Sequence, residues 1–322
     1  MLCVSACGEQ EAEVVRLAPV STVDQLSDGT YLASVTCLTA AGGQFYASDY
    51  SNHRFLILEA DGLEVSRTFG RSGAGPGEVY GAGCVAVAGD RVLAYDSRGR
   101  RFHVFSRQGE YETEFAAPEA VTAFGFAADA RGVLLSTRKE EGAASFYDLG
   151  GQLLFTFAET NGGYDAPTES RRRRMNDRLP LLASDGSIIL AYGYQPIVES
   201  FDEEGRHRAT LDLSEHELFK KRVETITTEY RDNYDRTRAG MFFRAGGIEG
   251  DRAYLLFYGE NGRPESILEI DRGSLTIERL IRLKTRAGTD AYISAFAVDS
   301  GNILAFDAVE GSLNLYELEA GE

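Results

Sequence analysis

The chain has 322 residues, 43% of them apolar, enough to bury a sizeable core and within reach of one all-β fold. A formal net charge of −17 makes a surface that repels phosphate backbones, which argues against nucleic acid as a partner. No run of 18 apolar residues is present to span a bilayer, and 35 glycines with 16 tyrosines and 18 phenylalanines point to strands and tight turns.

The first ten residues are MLCVSACGEQ, and Val4-Ser5-Ala6-Cys7 matches the end of a bacterial lipoprotein signal: a branched apolar residue, two small residues, then cysteine. Only six residues precede Cys7, too few for an export signal, so the true start is expected upstream of Met1. Cys7 would then be the lipidated first residue of the mature chain. Residues 1–11 are read as signal remnant and tether. The expected location is the bacterial cell envelope, with membrane contact through the lipid anchor only. The remaining residues, 12–322, are read as one domain.

AEVVRLAPV (12–20) reads as a strand. After it, YASDYSNHRFLILEADG lies above LAYDSRGRRFHVFSRQG at an offset of 47 residues, bringing Asp49 onto Asp96, Arg54 onto Arg101, Phe55 onto Phe102 and Gly62 onto Gly109. Cys37 and Cys84 keep the same offset. A repeat of this length means stacked supersecondary units, and the turn signals within each unit divide it into four antiparallel strands. Asp49 and Asp96 recur at the ends of second strands, which assigns them to the turn, since a catalytic acid is normally needed once.

Weaker copies follow, marked by the glycine before the last strand: Gly150, Gly205 and Gly273 in the third to fifth units. The sixth ends at the point where its fourth strand should begin. The fold class is therefore all-β, a six-bladed β-propeller of four-stranded antiparallel blades. It is closed by pairing the N-terminal strand 12–20 with the last blade, which removes two exposed edges.

The segment FGRSGAGPGEVYGAGCVAVAGDRVLAYDSRGRRFHVFSRQGE resembles an NHL-type propeller repeat, with its G-x-G-x-G-P-G-E opening, its A-x-D-S and its R-F-x-V-F. The likeness covers residues 43–109, and the lack of Trp separates the chain from WD40 propellers. It implies a fold that hosts both binders and enzymes.

Two stretches break the rhythm. Residues 159–179 form a long connection with four consecutive arginines, and residues 213–240 separate the fourth and fifth blades. In the second, Ser214 and Glu217 fit a capping box. Leu218, Phe219, Val223, Ile226 and Tyr230 follow helical spacing, predicting one amphipathic helix that packs on the propeller.

In a propeller the segment leading from one blade to the next reaches the channel mouth. These segments carry Glu78 and Tyr80, Glu119, Arg173, Arg174 and Arg178, Arg238 and Arg244, and Asp290 and Tyr292. Arginine forks grip carboxylates and phosphates with paired hydrogen bonds. Arg174, Arg178 and Arg244 are therefore expected to hold an anionic group, with Tyr80 and Tyr292 as flat walls and Glu78 nearby. The function expected is a non-catalytic ligand- or protein-binding or scaffold module. The alternative, implied by the resemblance, is an NHL-like lyase or lactonase-type hydrolase with an axial divalent metal.

No cofactor is expected beyond a weak case for calcium between Glu78, Glu119 and Asp290. No G-x-S-x-G elbow or P-loop occurs, and the glycines of GAGPGE are assigned to a tight turn. His53, His103, His207 and His216 lack metal-ligand spacing and are expected on surfaces or in turns. Cys37 and Cys84 sit at equivalent sites on neighbouring first strands. An oxidising compartment would allow a disulfide; two small buried hydrophobes with free thiols is the expectation taken.

Overall fold

The computed structural model describes residues 12–27, 29–60, 63–122, 125–139, 142–160, 173–232, 240–259 and 262–318. Cys7, Arg171–Arg172 and Arg238 lie outside them, as do the side chains of Ile226 and Tyr230.

The strands in chain order are β1 (Glu13–Leu17), β2 (Ser21–Val23), β3 (Val35–Ala41), β4 (Gln44–Asp49), β5 (Arg54–Glu59) and β6 (Val65–Phe69). Next come β7 (Arg71–Ser72), β8 (Glu78–Val79), β9 (Ala82–Ala88), β10 (Arg91–Asp96), β11 (Arg101–Ser106) and β12 (Tyr111–Ala116). They continue with β13 (Phe126–Asp129), β14 (Gly132–Lys139), β15 (Gly142–Tyr147), β16 (Leu153–Phe157), β17 (Arg178–Leu182), β18 (Ile188–Tyr192), β19 (Ile197–Phe201) and β20 (His207–Asp212). Helix α1 (Glu217–Asp232) precedes β21 (Phe243–Glu249), β22 (Arg252–Tyr258), β23 (Pro264–Asp271), β24 (Ile277–Leu283), β25 (Ile293–Asp299), β26 (Asn302–Asp307) and β27 (Ser312–Glu317).

These build six antiparallel sheets, β3–β6, β9–β12, β13–β16, β17–β20, β21–β24 and β25–β27, each a blade of a six-bladed β-propeller. By its internal packing the chain divides into two compact units. One holds the chain up to Val15, Ser136–Ser145 and Phe155–Arg282. The other holds Arg16–Leu135, Phe146–Leu154 and the chain from Leu283.

Burial falls from the second and third strands of a blade to the fourth. The second strands QFYASD and RVLAYD are buried on nearly every residue, which requires near-continuous apolar runs. The fourth strands VSRTF and YETEFA carry charged residues and are exposed or half-buried throughout except at Phe69. In the second unit, Phe55, Phe69 and Phe105 pack ring on ring with centroids 5.4 and 4.8 Å apart, fastening the first blade to the second.

The N-terminal closure is made, but one step along the chain from the expected segment. Ser21–Val23, rather than Ala12–Val20 as a whole, pairs with β27, with Ser21 opposite Leu315 and Val23 opposite Leu313; of the expected segment Val20 donates its N–H to the Leu315 carbonyl at 2.8 Å. Glu13–Leu17 instead adds a fifth strand to the β21–β24 sheet. Pro19 has no N–H to offer a ladder, so the run splits there into two strands that serve different blades.

The glycine-rich lead-in to the second blade is a turn around Glu78. Its carboxylate takes the N–H of Gly75 at 2.8 Å and Arg71 Nε at 2.7 Å, which together hold it below the usual carboxylate range. A Cβ on Gly73 would lie 2.0 Å from the Glu78 carboxylate, so a side chain there would push that carboxylate out of the turn.

Helix α1 forms as predicted and packs on the fifth blade. Phe219 is fully buried against Phe242, Phe243 and Phe257, the last with rings 5.1 Å apart. Its cap differs from the expected Ser214 box. His216 Nδ1 accepts the Leu218 N–H at 3.3 Å, whereas the Ser214 N–H goes to Asp212 at 2.9 Å. The helix thus begins two residues later than the box requires. No described helix is long and apolar enough to cross a membrane.

Candidate functional site

One hydrogen bond aligns the blades without reference to sequence. The residue following the second strand, or in the fifth blade its last residue, donates its N–H to the carbonyl just before the first strand: Tyr50 to Ser34, Ser97 to Gly81, Gly193 to Asp177, Tyr258 to Phe242 and Ala308 to Tyr292. The next position in each blade is then Val35, Ala82, Arg178, Phe243 and Ile293, and all five are buried. Their cross-strand partners are Asp49, Asp96, Tyr192, Phe257 and Asp307.

This register explains the repeated aspartates. Asp96 accepts the N–H groups of Tyr80, Gly81, Arg98 and Gly99 at 2.9–3.0 Å. Asp307 accepts those of Tyr292, Val309 and Glu310 at 2.8–3.2 Å. Asp49 holds Asn52 and Arg54. Each carboxylate closes the turn after its strand, and two of them also fix the lead-in to the first strand. The turn requires a left-handed residue four positions after the acid, which His53 (φ 53°), Arg100 (φ 51°) and Gly311 (φ 67°) supply.

A second feature follows in the first strands. One extra residue bulges out of the ladder at the same place in four blades: within Thr36–Cys37, at Gly83, at Arg244 and at Ser294. A bulge re-aims the side chain it carries. Thr36 Oγ1 donates to the Gly83 carbonyl at 2.7 Å, and Ser294 Oγ to the Val35 carbonyl at 3.4 Å. Arg244 is half-buried and makes no hydrogen bond or ion pair among the described residues.

The predicted site residues have different local settings. The β17 ladder runs without a bulge from Arg178 opposite Tyr192 to Leu182 opposite Ile188, so Arg178 occupies a core position. Its side chain is 0% exposed, with the guanidinium 4.1 Å from the Tyr192 ring centre. It donates to the Tyr192 hydroxyl and, at 2.7 Å, to the Glu159 carbonyl, and its Nε lies 3.5 Å from Glu199. Burial pushes the Tyr192 hydroxyl up to about 12 and raises Glu199, with Arg178 opposing both.

Arg174 is exposed and stacks 4.8 Å from the Tyr194 ring centre while donating to its hydroxyl at 2.9 Å. Three contacts tie the 174–177 segment to the turn after β18: this one, Gln195 Nε2 to the Met175 carbonyl at 2.7 Å, and the Gly193 N–H to Asp177 at 2.9 Å. That turn holds the fifth blade in turn, because Gly193 accepts the Phe242 N–H at 2.8 Å, two residues before Arg244. The Arg174 segment is thus connected to the start of the fifth blade through that turn, Arg174 by Tyr194 and the blade by Phe242.

In the other unit Tyr80 is 47% exposed and Tyr292 half-buried. They sit one position apart in the blade register, so they are not equivalent. Glu78 is held by its own turn, Glu119 accepts the Tyr147 hydroxyl, and Asp290 pairs with Lys284 at 2.6 Å. The convergence envisaged for calcium is not formed: among the described residues no group of three His, Cys, Asp or Glu could hold a metal ion.

Two further expectations are corrected. His103 is neither a surface nor a turn residue but 1% exposed in β11, because its side chain falls on a packed face. Its Nδ1 is 3.2 Å from Glu114 without hydrogen-bond geometry, and burial lowers its pKa despite the nearby Glu114 and Asp96. Cys37 and Cys84 are joined by a disulfide, with Cα atoms 5.0 Å apart, rather than lying as two free thiols.

No protein-family model and no curated protein matches the chain. Solved structures match in fold. A member of the DUF4221 family from Bacteroides vulgatus is 10% identical with a TM-score of 0.56, covering 94% of this chain and 97% of that one. A Bacteroides fragilis chain named as an exported protein is 9% identical, TM-score 0.52, covering 91% and 88%. The β-propeller domain of Cps50 (Swd1) from Myceliophteria thermophila is 9% identical, TM-score 0.52, covering 94% and 99%. Likeness at this identity establishes the fold alone.

Proposed function

We propose that this chain is an NHL-type propeller working outside the cytoplasm, anchored to a bacterial membrane through Cys7, as a non-catalytic binding or scaffold module. The observation that carries the reading is the Cys37–Cys84 disulfide, which joins the first strands of two neighbouring blades. Such bonds persist in oxidising compartments and are rare where glutathione keeps thiols reduced. The polar residues that recur from blade to blade support the second half of the reading. Asp96 and Asp307 are consumed in holding turns and lead-in segments, as a scaffold requires.

The test is made on protein expressed from its own gene in its native host and alkylated before lysis. Blocked thiols that become reactive only after reduction at Cys37 and Cys84, with fatty-acid label on Cys7, support the proposal. Free thiols at both positions, or a chain that takes up no label, overturn it. A stoichiometric metal in the purified protein would overturn the non-catalytic part in favour of a metal-dependent lyase or lactonase.

A further inference from the structure

We propose that the outer edge of the third blade is a docking site for an extended segment of a partner protein, which pairs with β16 as a fifth strand. The inference rests on reading the chain as a binding or scaffold propeller and gives that reading a partner chemistry: an apolar strand without charged side chains.

The composition of β16 is the first observation. Its sequence is LLFTF, and it ends the sheet order β13-β14-β15-β16, so among the described residues one side of its backbone has no strand beside it. Leu153 and Leu154 are 55% and 51% exposed. Successive residues of a strand project to opposite faces, so both faces of this edge begin with an exposed leucine. In other fourth strands the exposed positions hold Arg67, Glu112, His207, Arg208 and Asp212. Charge along an edge strand is a common device against pairing with another chain. Of β6, β12, β16, β20 and β24, only β16 carries no charged side chain.

The second observation is what other outer edges of this fold accept. Two of them already carry an added strand, and each added strand matches its edge in character. β1, with Glu13 and Arg16, lies on β24, with Glu278, Arg279 and Arg282. β2, with Ser21 and Thr22, lies on β27, where Thr22 Oγ1 donates to Asn314 Oδ1 at 2.8 Å. The counterpart of Leu153 and Leu154 is accordingly uncharged and apolar, since a charged strand would lose hydration over leucine and meet no counter-charge. The size of the edge selects a peptide segment over a second copy of the chain. A stable interface between folded partners takes roughly 20–30 residues a side, against the five of β16. Two chains with a net charge of −17 each also repel. An extended segment draws affinity from main-chain hydrogen bonds along the edge and selectivity from alternate side chains.

The probe is a capped, fluorescein-labelled peptide of alternating threonine and valine, followed by fluorescence anisotropy. Two companion peptides have glutamate in place of valine, or a central proline that breaks the ladder. The proteins are the wild type, Leu153→Lys, Leu154→Lys and the control Val309→Lys, which alters a 77% exposed apolar residue in a turn outside the strands. Thermal melts confirm that every variant is folded. Saturable binding of the threonine–valine peptide is expected, weakened roughly tenfold by either leucine substitution and for either companion peptide, and unchanged by Val309→Lys. The site is overturned by a wild type that shows no saturable binding, by a companion peptide that binds equally well, by leucine variants that bind like the wild type, or by an equal loss in the control. Sedimentation velocity reads the other occupant: a concentration-dependent dimer that both leucine substitutions abolish would replace the peptide by a second copy and overturn the assignment. None of these results touches the thiol, labelling and metal measurements, so a failure here is separable from a failure of the proposed function.

Discussion

Asp96 receives the backbone N–H of Gly81 at 3.0 Å, so the residue that ends a second strand also pins the segment leading into the first strand of its own blade. The same oxygen accepts Arg98 and Gly99, and its partner oxygen accepts Tyr80. Removing this carboxylate leaves four N–H groups to find other acceptors. Asp96→Ala is expected to cost about 3 kcal/mol or more, and Asp96→Asn distinctly less, because the amide retains one acceptor oxygen. Equilibrium denaturation measures both, and an Ala variant as stable as the wild type would remove the turn from the account.

Arg178 fills a position that is Val35, Ala82, Phe243 or Ile293 in other blades. Replacing it alone strands Glu199 in a buried site, so Arg178→Met is expected to cost about 3–5 kcal/mol. Adding Glu199→Gln should return a substantial part of that loss, since the orphaned charge is gone. A double-mutant cycle reads the coupling. Additive losses would show that the arginine acts through packing alone.

The Cys37–Cys84 bond closes a loop of 47 residues. Constraining the unfolded chain over that length stabilises the fold by about 4 kcal/mol in the chain-entropy account. Melting in the presence and absence of reductant should show that difference, and Cys37→Ser with Cys84→Ser should reproduce the reduced curve. Identical curves would mean that the bond is absent in the folded protein.

His103 gives the stability a pH dependence of defined sign. Burial holds its folded pKa below the ordinary value of 6.5, while the unfolded chain titrates near that value. As pH falls below about 6.5 the unfolded state takes up the proton first, so the stability present at neutral pH declines toward the folded pKa. Glu114 and Asp96 limit the decline by favouring the charged ring. His103→Leu should flatten this part of the stability profile between pH 7 and 5. A variant with the wild-type slope there would assign the dependence to other groups.

Much of the architecture was legible because it is repetitive and local. The 47-residue offset carried Asp49 onto Asp96, and the structure gives both the turn role that such repetition implies. A strand-like run near the N-terminus was legible as a closing strand, which β2 supplies to β27, and helical spacing located α1. What the pattern missed were choices made by long-range pairing. Whether 12–20 or 21–23 would meet β27 depended on Pro19 interrupting a run whose two halves each fit an edge strand. His103 looked like a surface residue because a polar side chain in an alternating strand carries no mark of which face is packed.

The sequence alone determined the six-blade repeat, its turn acids and the strand-rich composition, since these are read from spacing and residue type. Only the tertiary structure decided which arginines are buried and which are presented. Arg178 and Arg244 look alike in sequence, each near the start of a first strand. One lies in a regular ladder that turns its side chain into the core, and the other on a bulge that re-aims it. Side-chain direction in a sheet follows register, and register is set by cross-strand pairing.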